Sequence, residues 1–179
     1  PFDLNLKINL YDYKISNLFK PNSIINEFIK SGLLFNENIS VHTLVNIEST
    51  KKDEIFNEAK LELRVLNGKI SFDNSIFINN NIGSMEISNS DLFLENDRLI
   101  LTSNLSIDIK DIDGLFSFLN TDKKSRKDIK NIKLNIIYDF LSNQIELKNI
   151  KINDNDVSSQ FNNIAEGFND NNSNNLTKS

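Results

Sequence analysis

The sequence predicts a mainly β protein: a curved antiparallel sheet of about eight to ten strands, curled into a half-barrel (a β-groove), with two or three short helices. Two observations predict it. Between Glu58 and Ile152 apolar residues recur at every second position, in stretches broken by Asn, Asp and Gly. Leu99, Leu101, Leu105, Ile107 and Ile109, for example, alternate with Ile100, Thr102, Asn104, Ser106 and Asp108, with one slip at Ser103. A period of two makes one side of an extended strand apolar and the other polar. The second observation is that almost nothing with helical spacing separates these stretches, so successive strands are expected to pair antiparallel.

The elements follow in order. Phe2, Leu4, Leu6, Ile8 and Leu10 alternate and predict a first strand over 2–13. Pro21 suits the first turn of a helix and Gly32 its end; between them Ile24, Ile25, Phe28 and Ile29 form one stripe, predicting a helix over 22–31. Ile39, Val41, Thr43, Val45 and Ile47 make the next strand, and the charged run 51–54 a loop. Leu61, Leu63 and Val65 lead into Asn67-Gly68, a strong hairpin signal, and Ile70, Phe72, Ile76 and Ile78 return from it, with an irregularity at Asn74. After a turn over 79–83, Met85, Ile87 and Phe93 mark a strand with a bulge near Leu92, and the Asn96-Asp97 break opens the long strand 98–110. Asp111 or Asp113 caps a second helix, over 113–120, carrying Leu115, Phe116, Phe118 and Leu119. Two strands close the sheet, marked by Ile132, Leu134, Ile136 and Tyr138 and by Ile145, Leu147, Ile150 and Ile152. The phase shift within the last predicts a bulge near Asn149.

Residues 1–157 are long enough for one domain with its own core. In 158–179 a short helix is expected first, from the spacing of Val157, Phe161, Ile164, Ala165 and Phe168. Then comes a tail, 170–179, with too little apolar surface to offset its ordering entropy. A chain opening on Pro1 is expected to be a fragment of a longer protein. No run approaches the roughly 18 apolar residues of a membrane span. There is no cysteine, which removes disulfides and thiolate chemistry, and the net charge of −5 argues against nucleic acid as a partner. Asn occurs 31 times against three Arg; A/T-rich codon usage is the expected cause, ahead of an Asn ladder.

Nothing in the sequence points to a catalytic site. His42, the single histidine, falls on the polar side of its strand with no visible orienting partner, and reads as a solvated side chain. Asp111-Ile112-Asp113-Gly114 has the texture of a calcium loop, but its first and twelfth positions would be Ile109 and Asn120, so a helix cap is expected. The basic loop of Lys123, Lys124, Arg126 and Lys127, beside Phe116 and Phe118, reads as a solvated loop next to a docked helix. No phosphate loop, nucleophile elbow or paired catalytic carboxylates are found. No enzyme, cofactor or metal is therefore expected. A β-rich hydrolase or sugar-binding domain would need clustered carboxylates or aromatic platforms, and the chain has no Trp and three scattered Tyr.

From Leu66 to Ile152 the chain resembles the C-terminal region of the AsmA-like family, the AsmA/TamB-type envelope proteins of Gram-negative bacteria. The residues carrying the resemblance are Leu66-Asn67-Gly68-Lys69-Ile70-Ser71-Phe72, Ile82-Gly83-Ser84-Met85-Glu86-Ile87, and Asp91-Leu92-Phe93-Leu94 with Asp97-Arg98-Leu99-Ile100-Leu101. The shared feature is a rhythm: a glycine-opened hairpin, an alternating strand, a polar turn and an alternating return, then a helical interruption at 113–120 and two closing strands. The resemblance covers about half the chain. It implies a periplasmic location, tethered to the inner membrane by a segment upstream of this fragment. It also implies a role in phospholipid transport and outer-membrane biogenesis through an apolar sheet groove.

An apolar sheet face can be covered by its own chain or by a guest. Burial is worth about 0.8 kcal/mol per methylene, so an acyl chain of about 16 carbons gains roughly 10–13 kcal/mol of shielding. The expected function is a non-enzymatic segment of such a protein. Its candidate lipid-facing residues are Ile70, Phe72, Ile76, Ile78, Leu99, Leu101, Leu105, Ile107, Leu134 and Ile136. Expected partners are phospholipid acyl chains, the rest of the parent chain and envelope proteins. The alternative is a structural or assembly module, whose concave face is closed by its own helices and whose edges pair with neighbouring repeats.

Overall fold

The computed structural model describes residues 2–159 except 21, 22, 24–26, 28, 52, 97 and 143. It is mainly β, one large curved sheet that does not close into a barrel. In chain order the strands are β1 (Phe2–Tyr11), β2 (Ile39–Glu48), β3 (Glu58–Leu66), β4 (Lys69–Ser71), β5 (Ser75–Asn79), β6 (Gly83–Glu95), β7 (Arg98–Ile109), β8 (Asn131–Asp139), β9 (Gln144–Ile152) and β10 (Asn155–Asp156). Across the sheet they run β1-β2-β3-β4-β6-β7-β8-β9-β10, with β5 also bridging β3 and β6.

The sheet is mixed rather than antiparallel throughout, because β1 runs parallel to β2. The period of two fixes which side chains share a face but carries no strand direction. Direction here follows from the connection: residues 12–38 are long enough for the crossover that parallel neighbours require. That crossover carries Ile15, Leu18, Ile29 and Leu34, all buried, over one face of the sheet.

Turn chemistry sets the register elsewhere. Asn67 (φ 52°) and Gly68 (φ 72°) are both left-handed, which matches the twist of a two-residue hairpin between β3 and β4. The bulge expected near Leu92 lies between Ser88 and Asp91, around Asn89 (φ 49°). It keeps Leu92 and Leu94 on the face that Met85 and Ile87 occupy. A second bulge falls at Asn149 (φ 51°), as expected, and keeps Ile150 and Ile152 in phase with Leu147. At Gly83 (φ 154°) a Cβ would lie 2.1 Å from the Asp108 carbonyl oxygen, so only glycine lets β6 approach β7 there.

Helix α1 spans Ile112–Phe118 and is capped by Asp111, whose Oδ1 accepts from the Gly114 amide at 2.9 Å. Half of the helix expected over 22–31 lies outside the described residues. Within it Glu27, Ile29 and Lys30 are helical, Glu27 N donates to Ser23 O and Ser31 N to Glu27 O, and Gly32 (φ 75°) ends the turn. The helix expected to begin at Val157 and the tail 170–179 lie outside the described residues beyond Ser159.

Two buried clusters occupy one face. The first joins Ile29 and Leu34 of the crossover to Val41, Val65, Ile70, Phe72, Leu92, Leu99 and Phe140. The second joins Ile15 and Leu18 to Ile47, Ala59 and Phe77. Both lie mainly over β2–β6 and the start of β7. Among the described residues no helix is long and apolar enough to cross a membrane.

Candidate functional site

The candidate site is the remainder of that apolar face, over β7–β9. Register places Leu105 opposite Leu134, Ile107 opposite Ile132 and Ser103 opposite Ile136, with Ile136 in turn opposite Leu147. These side chains therefore form one continuous apolar surface three strands wide. Leu105, Ile107, Ile132, Leu134, Ile136 and Leu147 are all half-buried, and none belongs to either buried cluster. Each keeps part of its surface in contact with solvent. The edge-to-face pair of Tyr138 and Phe140, 4.7 Å between ring centroids, stands at the border with the covered half.

The ten residues read from the sequence divide into three groups. Leu105, Ile107, Leu134 and Ile136 lie together on the accessible surface, and half-buried Leu101 packs at its border with the first cluster. Ile70, Phe72 and Leu99 share the face but are core, at 0%, 9% and 2% exposure. Ile76 and Ile78 lie on the opposite face: Ile76 pairs with Lys60 and Ile78 with Glu58, while Phe77 between them is fully buried. The cause is the turn at Asp73 and Asn74 (φ 65°), which separates β4 from β5 and shifts the alternation by one residue. Ile150, in phase with this surface, is buried at 6% exposure, while Ile132 and Leu147 join the surface although neither was among the ten. Both sit in the same alternation that identified Leu134 and Ile136, and only the β7–β8–β9 register shows them to be neighbours.

The opposite face is polar and cross-linked. Buried Glu62 accepts from Arg64 Nε at 2.7 Å and lies 3.0 Å from His42 Nε2. Arg64 holds its carboxyl below the usual range, outweighing burial, and His42 adds to the effect. His42 thus has a partner that its sequence context did not reveal, a carboxylate two strands' pairing brings alongside. Asp139 is also buried; burial pushes its pKa up, but Arg98 (Nε at 2.9 Å) and the Leu141 and Ser142 amides bring it below the ordinary value. The same face carries a cross-strand Asn chain: Asn149 Nδ2 donates to Asn135 Oδ1 at 2.6 Å, and Asn135 Nδ2 to Asn104 Oδ1. These three Asn side chains form a short cross-strand chain.

At the far end of β7, Arg126 lies 5.7 Å over the Phe116 ring and donates to the Thr121 carbonyl, while Lys123, Lys124 and Lys127 are exposed. A cleft of about 390 Å³ lined by Ile15, Phe56, Phe118 and the Lys14–Asp53 ion pair contains none of the apolar surface residues. Compared with known proteins, the chain matches no family model, no curated protein and no solved structure.

Proposed function

We propose that the chain is a non-enzymatic segment of an AsmA-like periplasmic protein, tethered to the inner membrane through the rest of its parent, that shields phospholipid acyl chains during transport to the outer membrane. The observation that carries the reading is the accessible surface of Leu105, Ile107, Leu134 and Ile136, which continues a curved sheet face whose other half the crossover already covers. A guest acyl chain needs no specific polar contacts. It gains about 0.8 kcal/mol per methylene removed from water, so a surface of this kind functions by being uncovered.

Native mass spectrometry of the protein purified from a Gram-negative host, with lipid extraction of the same sample, tests this. Co-purifying phospholipid is expected, and Leu105→Asp or Ile136→Asp should abolish it while circular dichroism stays unchanged. Phe72→Asp is unsuitable, because Phe72 is core and the variant would lose lipid by unfolding. A lipid-free protein, or lipid retained by both variants, would overturn the reading.

A further inference from the structure

The two edges of the sheet differ. At the β9 edge a bulge at Asn149, the short strand β10 over Lys151 and Ile152, and the charges of Glu146, Lys148 and Lys151 interrupt any template for pairing. Strand β1 has neither a bulge nor a short capping strand, and its two charges, Asp3 and Lys7, are of opposite sign. Among the described residues, its ten positions pair on one side only, with β2, and the strand has no proline. In its apolar row Leu4 and Leu10 pack against the buried clusters, but Phe2, Leu6 and Ile8 are exposed at 60%, 42% and 39%. A long strand unpaired along one side, with exposed apolar residues, is a template for another strand.

The geometry points to a second copy of β1 as the occupant, paired antiparallel about a two-fold axis. This inference does not rest on the lipid reading, since β1 lies at the opposite side of the sheet from β7–β9. The Phe2 amide donates to the Asn38 carbonyl on the β2 side, so with alternation the amides and carbonyls of Asp3, Asn5 and Lys7 turn toward the free edge. In an antiparallel pair these become the hydrogen-bonded positions. Centred on Asn5, the register sets Asp3 opposite Lys7 of the second copy and Lys7 opposite its Asp3. Leu4 then meets Leu6, and Phe2 meets Ile8, in the closer non-hydrogen-bonded positions. That register forms about six backbone hydrogen bonds and joins the apolar rows of both copies on one face. Moving the centre to Lys7 would instead oppose two like charges, which selects against that register.

Sedimentation equilibrium of the full chain tests this, and the absence of native cysteine makes single-cysteine cross-linking clean. A concentration-dependent dimer is expected. Lys7→Asp should weaken it about tenfold or more, and the reciprocal variant carrying both Asp3→Lys and Lys7→Asp should restore it. Asn5→Cys, which leaves both charges in place, should oxidise to a disulfide-linked dimer, and Leu6→Cys should not. A monomer at every concentration overturns the inference. So does a dimer indifferent to Lys7→Asp, or one cross-linked through Leu6→Cys in preference to Asn5→Cys.

Discussion

One face of this sheet contains two regions built from the same residue types in the same alternation, yet they end differently. Over β2–β6 the crossover from β1 to β2 lays Ile15, Leu18, Ile29 and Leu34 on the strands, and Ile47, Ile70 and Phe77 fall to 1% exposure or less. Over the rest of β7–β9 no described crossover residue joins a buried cluster; these strands are connected through 110–130, which carries α1, and through 140–143. Leu105, Ile107, Leu134 and Ile136 remain half-buried as a result. Burial on this face is therefore decided by what the loops bring over it and not by the strand pattern itself. The same period of two is a core in one half and an accessible surface in the other.

The largest expected effect breaks the covered half. Phe77→Ala removes a fully buried ring that packs at 5.6 Å from Phe56 and against the crossover, and should cost about 3–5 kcal/mol in urea unfolding. Next comes acid, which acts from the polar side. Glu62 and Asp139 both have folded pKa values below the ordinary ones. Their contribution is therefore complete above the unfolded values, about 4.3 for Glu and 3.9 for Asp, and is lost as pH falls through the folded ones. Urea midpoints should hold steady from neutral pH down to about 4.5 and then fall, and Glu62→Gln should flatten part of that decline.

Backbone variants are expected to be smaller. Asn89→Ala and Asn149→Ala each place alanine in the left-handed region and should cost about 1–2 kcal/mol. They sharpen the comparison because one bulge borders the covered half and the other the accessible half. The smallest effect is expected on the accessible surface itself. Leu134→Ala should cost about 1 kcal/mol or less by the same unfolding assay, since its side chain already meets solvent. A cost near that of Phe77→Ala would mean that Leu134 is core.

Much of the fold was legible because alternation and turn chemistry are local. The Asn67-Gly68 hairpin, the bulge at Asn149 and the Asp111 cap each depend on a few adjacent residues. The parallel placement of β1 was not legible, because direction is set by a 27-residue connection, 12–38, whose own pattern says only that it holds some helix. The placement of Ile76 and Ile78 on the other face was not legible for a related reason: the short turn at Asn74 changes which parity faces inward, and Phe77 takes the core position. The burial of Ile70, Phe72 and Leu99 was not legible because the sequence shows which residues are apolar but not which ones the crossover covers. The Asn residues also fill defined structural positions. Every described non-glycine residue with positive φ is Asn or Asp, and Asn104, Asn135 and Asn149 bond across three strands. Asn tolerates the left-handed region better than other side chains, so a chain rich in it can place bulges and tight turns with few glycines.

The most direct test of an accessible apolar half is thiol reactivity in this cysteine-free chain. Leu134→Cys and Phe77→Cys would be reacted with a maleimide in the folded state, with and without added phospholipid. Fast labelling at position 134 that phospholipid slows, with position 77 labelled only at the rate of unfolding, is the predicted result. Equal protection of both positions without lipid would show that the chain covers its whole apolar face, and would contradict the account.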